Sequence, residues 1–233
     1  MEEILKFQPM NFQDLLSQIG PFEMAIKGMI IGIVASAPMG PVGVLCVQRT
    51  LNKGRWYGFM TGVGAAVSDI IYAAIAGYGL SFVIDIIENP VVSYWIKVAG
   101  SILLFVFGVF TFRSNPVQKV RPVSRNKSNL IHNFFTGLFV TLSNPLILFL
   151  FVAMFGQFTF VVNNWVPQLV GYLFIMVGAL LWWFGLTWLI DKVRNKFDVR
   201  GIWIINRIIG IVVMVVSAAV AISVLTGNFF SFD

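Results

Sequence analysis

MAIKGMIIGIVASAPMGPVGVLCV, residues 24–47, is an apolar run of membrane-crossing length whose middle holds Pro38, Gly40 and Pro41. A helix of about 20 apolar residues spans the hydrocarbon core. Proline donates no backbone hydrogen bond, and its ring clashes with the carbonyl four residues back. Pro38 therefore frees the carbonyl of Val34, and Pro41 that of Ala37; Gly40 adds flexibility. Lipid offers no water to such groups, so a broken helix belongs beside a cavity or inside protein. A second apolar run, residues 131–156, is interrupted in the same way by Ser143-Asn144-Pro145. There Pro145 frees the carbonyl of Thr141, and Asn144 adds a side-chain amide.

The rest of the chain fits a membrane protein. It is 58% hydrophobic and 11% charged, too little charge to cover a soluble surface, where about a quarter of residues are charged. The apolar residues come in long runs, which excludes the alternating strands of an outer-membrane barrel. Spans are expected at 22–47, 56–84, 94–112, 131–156, 165–190 and 202–226. Asn89-Pro90 and Asn115-Pro116 mark turns between them. Trp56, Tyr57, Tyr94, Trp95, Trp165 and Trp203 stand at span ends, where aromatic rings favour the headgroup level. Phe12, Leu15, Leu16 and Ile19 have helical spacing, so residues 1–21 are read as an amphipathic segment, with a surface helix over 10–20; a partly ordered tail is the alternative.

Basic residues sit in three links. Arg49, Lys53 and Arg55 follow the first span; Arg113, Lys119, Arg121, Arg125 and Lys127 follow the third; Lys192, Arg194, Lys196 and Arg200 follow the fifth. The other links and the tails carry Glu2, Glu3, Asp14, Glu23, Asp85, Glu88 and Asp233. The positive-inside rule places the basic links in the cytoplasm and both termini outside. It also explains the net charge of +6 as a topology signal, not a nucleic-acid surface. Cys46 is the only cysteine, so the chain forms no internal disulfide.

The two halves of the chain repeat one another. Ser36-Ala37-Pro38 matches Ser143-Asn144-Pro145, Val63-Gly64-Ala65 matches Val177-Gly178-Ala179, and Lys97 and Gly100 match Arg207 and Gly210. Each half has three spans, an odd number, so the halves enter the membrane in opposite directions. The expected fold is an all-α membrane protein of six transmembrane helices in two inverted repeats. Residues 22–112 form the first repeat, 113–130 a basic cytoplasmic loop, 131–226 the second repeat and 227–233 a tail.

A single proline in a membrane helix is ordinarily a packing kink, but two breaks at matching positions point to a midplane binding site. Asp69 lies near the middle of the second span. Acids at that depth face the bundle interior or a water-filled cavity and mark substrate or proton pathways. Gly58, Gly62, Ala66, Asp69, Ala73 and Ala76 share one helix face, which permits close packing and turns Asp69 inward. The alternative is a protonated acid bonded to nearby backbone. Gly171, Gly178 and Gly185 make a groove on the fifth span, with Trp182 and Trp183 beside it, as cavity lining or as core. Lys97 and Arg207 read as snorkelling cations, and His132 as an interfacial residue. The sequence shows no nucleotide-binding loop, metal-ligand cluster or nucleophile–base set, so no enzyme, catalytic residue, metal or cofactor is expected.

These features together resemble the LysE/RhtB-type amino-acid exporter family, the lysine exporters. The resemblance rests on the proline–glycine–proline break, the turn Gln48-Arg49-Thr50-Leu51-Asn52-Lys53-Gly54-Arg55 before Tyr57-Gly58-Phe59, the Ser68-Asp69 pair, Thr141-Leu142-Ser143-Asn144-Pro145 and Leu181-Trp182. The family's usual break has one residue between the prolines, where this chain has Met39 and Gly40. Members that export basic substrates carry an acid after Asn-Pro, whereas residues 146–151 here are all apolar. That departure points to a neutral or zwitterionic substrate. The resemblance implies efflux across the bacterial cytoplasmic (inner) membrane, driven by protons or membrane potential. Its expected substrate pathway is Pro38, Gly40, Pro41, Asp69, Asn144, Pro145 and Trp182, with Asp69 carrying a proton or pairing with an amine. The expected partners are a small amino-acid-like molecule and the lipid bilayer; the glycine faces permit a homodimer. A cation or metal exporter and a non-transporting scaffold are the competing readings.

Overall fold

Where an apolar run is uninterrupted it forms one helix, and where prolines interrupt it two helices meet at a bend. The computed structural model describes residues 12–81, 90–113, 129–158, 160, 165–193 and 200–226, and all their regular structure is helical. The helices are α1 (Phe12–Ser36), α2 (Pro41–Lys53), α3 (Arg55–Ser81), α4 (Pro90–Arg113), α5 (Leu130–Leu142), α6 (Leu146–Phe158), α7 (Trp165–Val193) and α8 (Arg200–Thr226). Four of them, α3, α4, α7 and α8, are each long and apolar enough to cross a bilayer. Helices α1 and α2 meet at 78°, and α5 and α6 at 70°. With each bent pair counted as one span, the protein has six. α1 runs without a break from Phe12 through Pro21, so residues 12–20 continue directly into the first span. Residues 10 and 11 lie outside the described part, as do 82–84 of the expected second span.

Large apolar side chains cover the outside of the bundle, among them Ile102, Phe110, Leu173, Ile208, Val215 and Leu225. This is the reverse of a soluble protein and leaves an apolar belt for lipid tails. Trp56, Trp95 and Trp165 are exposed at helix ends, and Arg55 lies over the Trp56 ring at 4.9 Å. Arg113 and Lys192 are exposed, while residues 114–128 and 194–199 of the basic links lie outside the described part. Arg49 corrects the reading of the first link. It lies in α2 and is only 6% exposed, leaving Lys53 and Arg55 as that link's charges. Its polar neighbours hold it in the interior.

Small residues set the contacts between helices. A Cβ added to Gly28 or Gly32 of α1 would strike the main-chain oxygen of Gly171 or Ile175 on α7, and one on Gly178 would strike that of Met29. Helices α3 and α5 meet in the same manner: a Cβ on Gly64 would strike the Phe134 oxygen, and one on Gly137 the Thr61 oxygen. So the first half of each broken span runs backbone-to-backbone against the middle span of the other half. The remaining spans, α4 and α8, pack on each other, with Gly108 and Gly210 at the contact. The expected glycine groove on α7 holds for Gly171 and Gly178, both against neighbours; Gly185 faces open space.

These contacts generate a test. Gly32→Val and Gly137→Val each drive a side chain into main chain and should lower stability by about 1–3 kcal/mol or more. Gly40 has φ −74° and no atom near its would-be Cβ, so Gly40→Ala should stay within about 0.5 kcal/mol of wild type. Thermal unfolding of the purified variants in detergent separates the two groups; equal losses at all three sites would refute the packing described.

Candidate functional site

The break in the first span is a short turn. α1 ends at Ser36, the Gly40 N–H donates to the Pro38 carbonyl at 2.9 Å, and Gly40 caps α2, whose first residue is Pro41. Proline fits the first helical position because its missing N–H has no partner there anyway. Met39, inside the turn, is held from α8. Its N–H donates to Asn206 Oδ1 at 2.8 Å, and Asn206 Nδ2 donates to its carbonyl at 3.3 Å. The Asn206 side chain is 1% exposed. It thereby satisfies two main-chain groups that a continuous helix would have paired.

The break in the second half is held more locally. The expected free carbonyl of Thr141 is in fact taken by the Asn144 N–H, at 2.9 Å. Asn144 Oδ1 accepts the Leu146 N–H at 3.3 Å and so occupies the first amide of α6. The Leu142 carbonyl accepts the Tyr72 hydroxyl of α3 at 2.6 Å. Thr141 Oγ1 is buried with no protein partner.

One helix reaches both breaks. Asp69 of α3 is 3% exposed, and its Oδ2 accepts the hydroxyl of Ser36, the last residue of α1, at 3.1 Å. Tyr72, one turn on, touches the second break, and Ser68 Oγ donates to the Leu138 carbonyl of α5 at 2.8 Å. Gly58, Gly62, Ala66, Asp69, Ala73 and Ala76, expected on one inward face, are all buried. Asp69 and Asn144 share no hydrogen bond; α3 is what joins their surroundings. Pro38 and Gly40 are half-buried and Pro41 is exposed.

Two indoles lie beside the stretch of α3 that precedes Asp69. Trp183 is 2% exposed and packs with Met39, Cys46, Ala65 and Ala66, its ring against Gly62. Trp182 is half-buried beside the same cluster. Neither indole N–H has a partner. Asp69, Trp182 and Trp183 stand out in the sequence as candidate lining, whereas Ser36, Tyr72 and Asn206 do not. The signal for Asn206 was present, since it is a polar side chain inside an apolar run.

A separate apolar crevice of about 260 Å³ opens between α4 and α6, lined by residues such as Leu103, Phe107, Phe110 and Leu150. It has no polar lining residue, so it does not recognise a charged solute. Among the described residues, no three of His, Cys, Asp and Glu come together as a metal-sized group. His132 is exposed, and Arg207 lies 5.0 Å from the Phe112 ring.

Four unbroken apolar helices and two bent pairs, up to six spans, define a multi-pass membrane protein. Comparison gives the family. The model of the LysE type translocator family matches residues 33–224, and the chain belongs to that family. A protein of Bacillus subtilis (strain 168) named "Putative amino acid efflux protein YcgF" is 26% identical over 170 residues, 72% of this chain and 80% of the relative. "Uncharacterized membrane protein YahN" of Escherichia coli (strain K12) is 24% identical over 170 residues, 72% of this chain and 75% of that protein. No solved structure matches the chain.

The side chains that meet the breaks should be costly to remove. Tyr72→Phe leaves the Leu142 carbonyl unmet and Asn206→Leu strands both groups of Met39, each a loss of about 1–3 kcal/mol. Thermal unfolding in detergent should show the loss for both. Wild-type stability in Tyr72→Phe would show that this hydrogen bond carries no weight.

Proposed function

We propose that this protein is a secondary active exporter of amino acids or related small zwitterionic metabolites across the bacterial cytoplasmic membrane, driven by a proton gradient or by membrane potential. The observation that carries the reading is Asp69, a buried carboxyl hydrogen-bonded to the last residue before a mid-membrane helix break in a LysE type translocator. Its relative's name supports amino acid efflux as the direction and cargo.

The two halves are inverted repeats in this reading. Support comes from the paired bends of 78° and 70° and from the exchanged contacts, α1 on α7 and α3 on α5. Rocking one half against the other alternates access to a site between the breaks. Pro38, Gly40 and Pro41 supply the bend; Asn144 and Pro145 supply its counterpart; Trp182 borders the path. Asp69 carries the exchanged proton or pairs with the substrate's amine. The Ser36 hydroxyl donates to Asp69 Oδ2, so an arriving ammonium would compete for that oxygen. The basic links face the cytoplasm and both termini lie outside.

Efflux of labelled neutral amino acids from loaded cells tests the reading. Asp69→Asn should cut the rate by about tenfold or more, the factor given by about 1.4 kcal/mol of lost interaction, without loss of folded protein. Equal efflux by both proteins removes Asp69 from the mechanism. Orientation has its own test. Asn52 is exposed near the end of α2, and Asn52→Cys should escape an impermeant thiol reagent on intact cells but react after lysis. Labelling of intact cells would reverse the topology.

A further inference from the structure

A permanent cation sits in the interior with no acid beside it. Arg49 is 6% exposed. Its Nη1 donates to Thr61 Oγ1 at 2.8 Å and to the Asn133 carbonyl at 3.2 Å, both neutral acceptors. No carboxylate among the described residues pairs with it. A guanidinium carries five N–H donors in a planar fork, so two bonds from one nitrogen leave the edge formed by Nη2 and Nε for another acceptor. Burying an uncompensated charge costs several kcal/mol, and charges inside membrane proteins normally find a counter-charge or mark a pathway. The acidic balance of this site is therefore incomplete.

A second, independent observation lies in the same cluster. Asn133 of α5 is 0% exposed. Its Nδ2 donates to the Tyr57 carbonyl at 3.3 Å, and its Oδ1 has no partner at all. The cluster thus offers cationic donors and a neutral acceptor. An α-amino acid presents the complement, a carboxylate and an ammonium held a few bonds apart.

We propose that Arg49 and Asn133 form a recognition site for the substrate's α-carboxylate and α-ammonium groups, on the cytoplasmic side of Asp69. Arg49 takes the carboxylate through its open bidentate edge, and Asn133 Oδ1 takes the ammonium. The proposal rests on the exporter reading and adds the chemical requirement that cargo bear a free carboxylate. Three elements build the site. Arg49 comes from α2, Thr61 and Tyr57 from α3, and Asn133 from α5, so it closes only when the half-helix after the first break lies on the other two. Movement of α2 about the turn at Pro38 and Gly40 would open it. Asp69 stands two helical turns further along α3 than Thr61, about 12 Å at 1.5 Å per residue. One small zwitterion does not reach both, and the two sites act in succession.

Exchange in proteoliposomes decides the matter, with labelled L-leucine, L-threonine and L-alanine as cargo and each unlabelled acid or its α-carboxamide as competitor. Wild type should be competed at least about tenfold better by the acid than by the amide, and Arg49→Gln should weaken competition by the acid about a hundredfold while barely moving that of the amide. Arg49→Lys, which keeps the charge and loses the fork, should fall between. Asn133→Asp is nearly isosteric and puts a carboxylate in the same cluster; it gives up the Nδ2 bond to the Tyr57 carbonyl, so thermal unfolding of this variant checks that it is folded. The folded variant should bind the acid more weakly. A merely structural arginine predicts unchanged exchange in that folded variant. Wild-type affinity and wild-type discrimination in both Arg49→Gln and Asn133→Asp overturn the proposal and leave the exporter reading standing. Exchange of none of the three acids by wild type overturns the exporter reading for these cargoes; if the acids also fail to raise the unfolding temperature of purified protein above the amides, the carboxylate site falls with it.

Discussion

A backbone group that loses its helical partner inside a bilayer finds no water, and leaving it alone costs several kcal/mol. That constraint arranges this bundle. Two apolar runs stop at a bend, and each stop creates groups that other elements must meet. Asn206 crosses from α8 to take both main-chain groups of Met39. Tyr72 crosses from α3 to the Leu142 carbonyl. Asp69, on the neighbouring face of α3, receives the Ser36 hydroxyl at the end of α1. Because α3 serves both breaks it has to run through the middle of the molecule. Of the four unbroken spans it is the most enclosed.

Enclosure of that kind demands small side chains. Between lipid tails and leucine there is little hydrophobic difference, so helices in membranes associate through close contact and hydrogen bonds. α3 carries Gly58, Gly62, Ala65 and Ala66 toward α2 and α7, and Gly64 toward α5. α1 meets α7 through glycines in the same way. The consequence is a division of labour. The backbone-to-backbone seams of α1 with α7 and of α3 with α5 are rigid, since main chain cannot yield. The second half-helices, α2 and α6, bend away from those seams and each meets a neighbour closely at one glycine, α2 at Gly58 of α3 and α6 at Gly100 of α4.

Much of this was legible in the chain. Run length and the proline positions located every span and both bends, because those properties are local. The inward face of α3 followed from the spacing of Gly58, Gly62, Ala66 and Asp69, again a local periodicity. Partnerships were not legible. Nothing in the sequence says that Asn206 faces Met39, since the two are distant in the chain and the pairing depends on how α8 crosses the break. Arg49 misled for a related reason. In sequence it adjoins Lys53 and Arg55 and reads as part of a basic link, but α2 places it a turn inside the bundle, where Thr61 and Asn133 wait for it. The carbonyl of Thr141 misled too. Removing one donor with Pro145 freed it, and the chain folded Asn144 back to fill it.

The two breaks differ in what holds them, and the difference bears on which can move. Asn144 satisfies its own turn, through its N–H to Thr141 and its side chain to Leu146, so the second break keeps most of its bonds whatever its neighbours do. The first break has one short internal bond, Gly40 to Pro38. Its other anchors, Asn206 and Asp69, stand on α8 and α3. A turn held from outside shifts when those helices shift, and any change in the charge or bonding of Asp69 acts on Ser36 at its edge. The first break is therefore the one whose geometry is coupled both to helix motion and to the buried carboxyl. It is also the one that carries Arg49 on its far arm, so movement of that arm and exposure of the guanidinium are a single event.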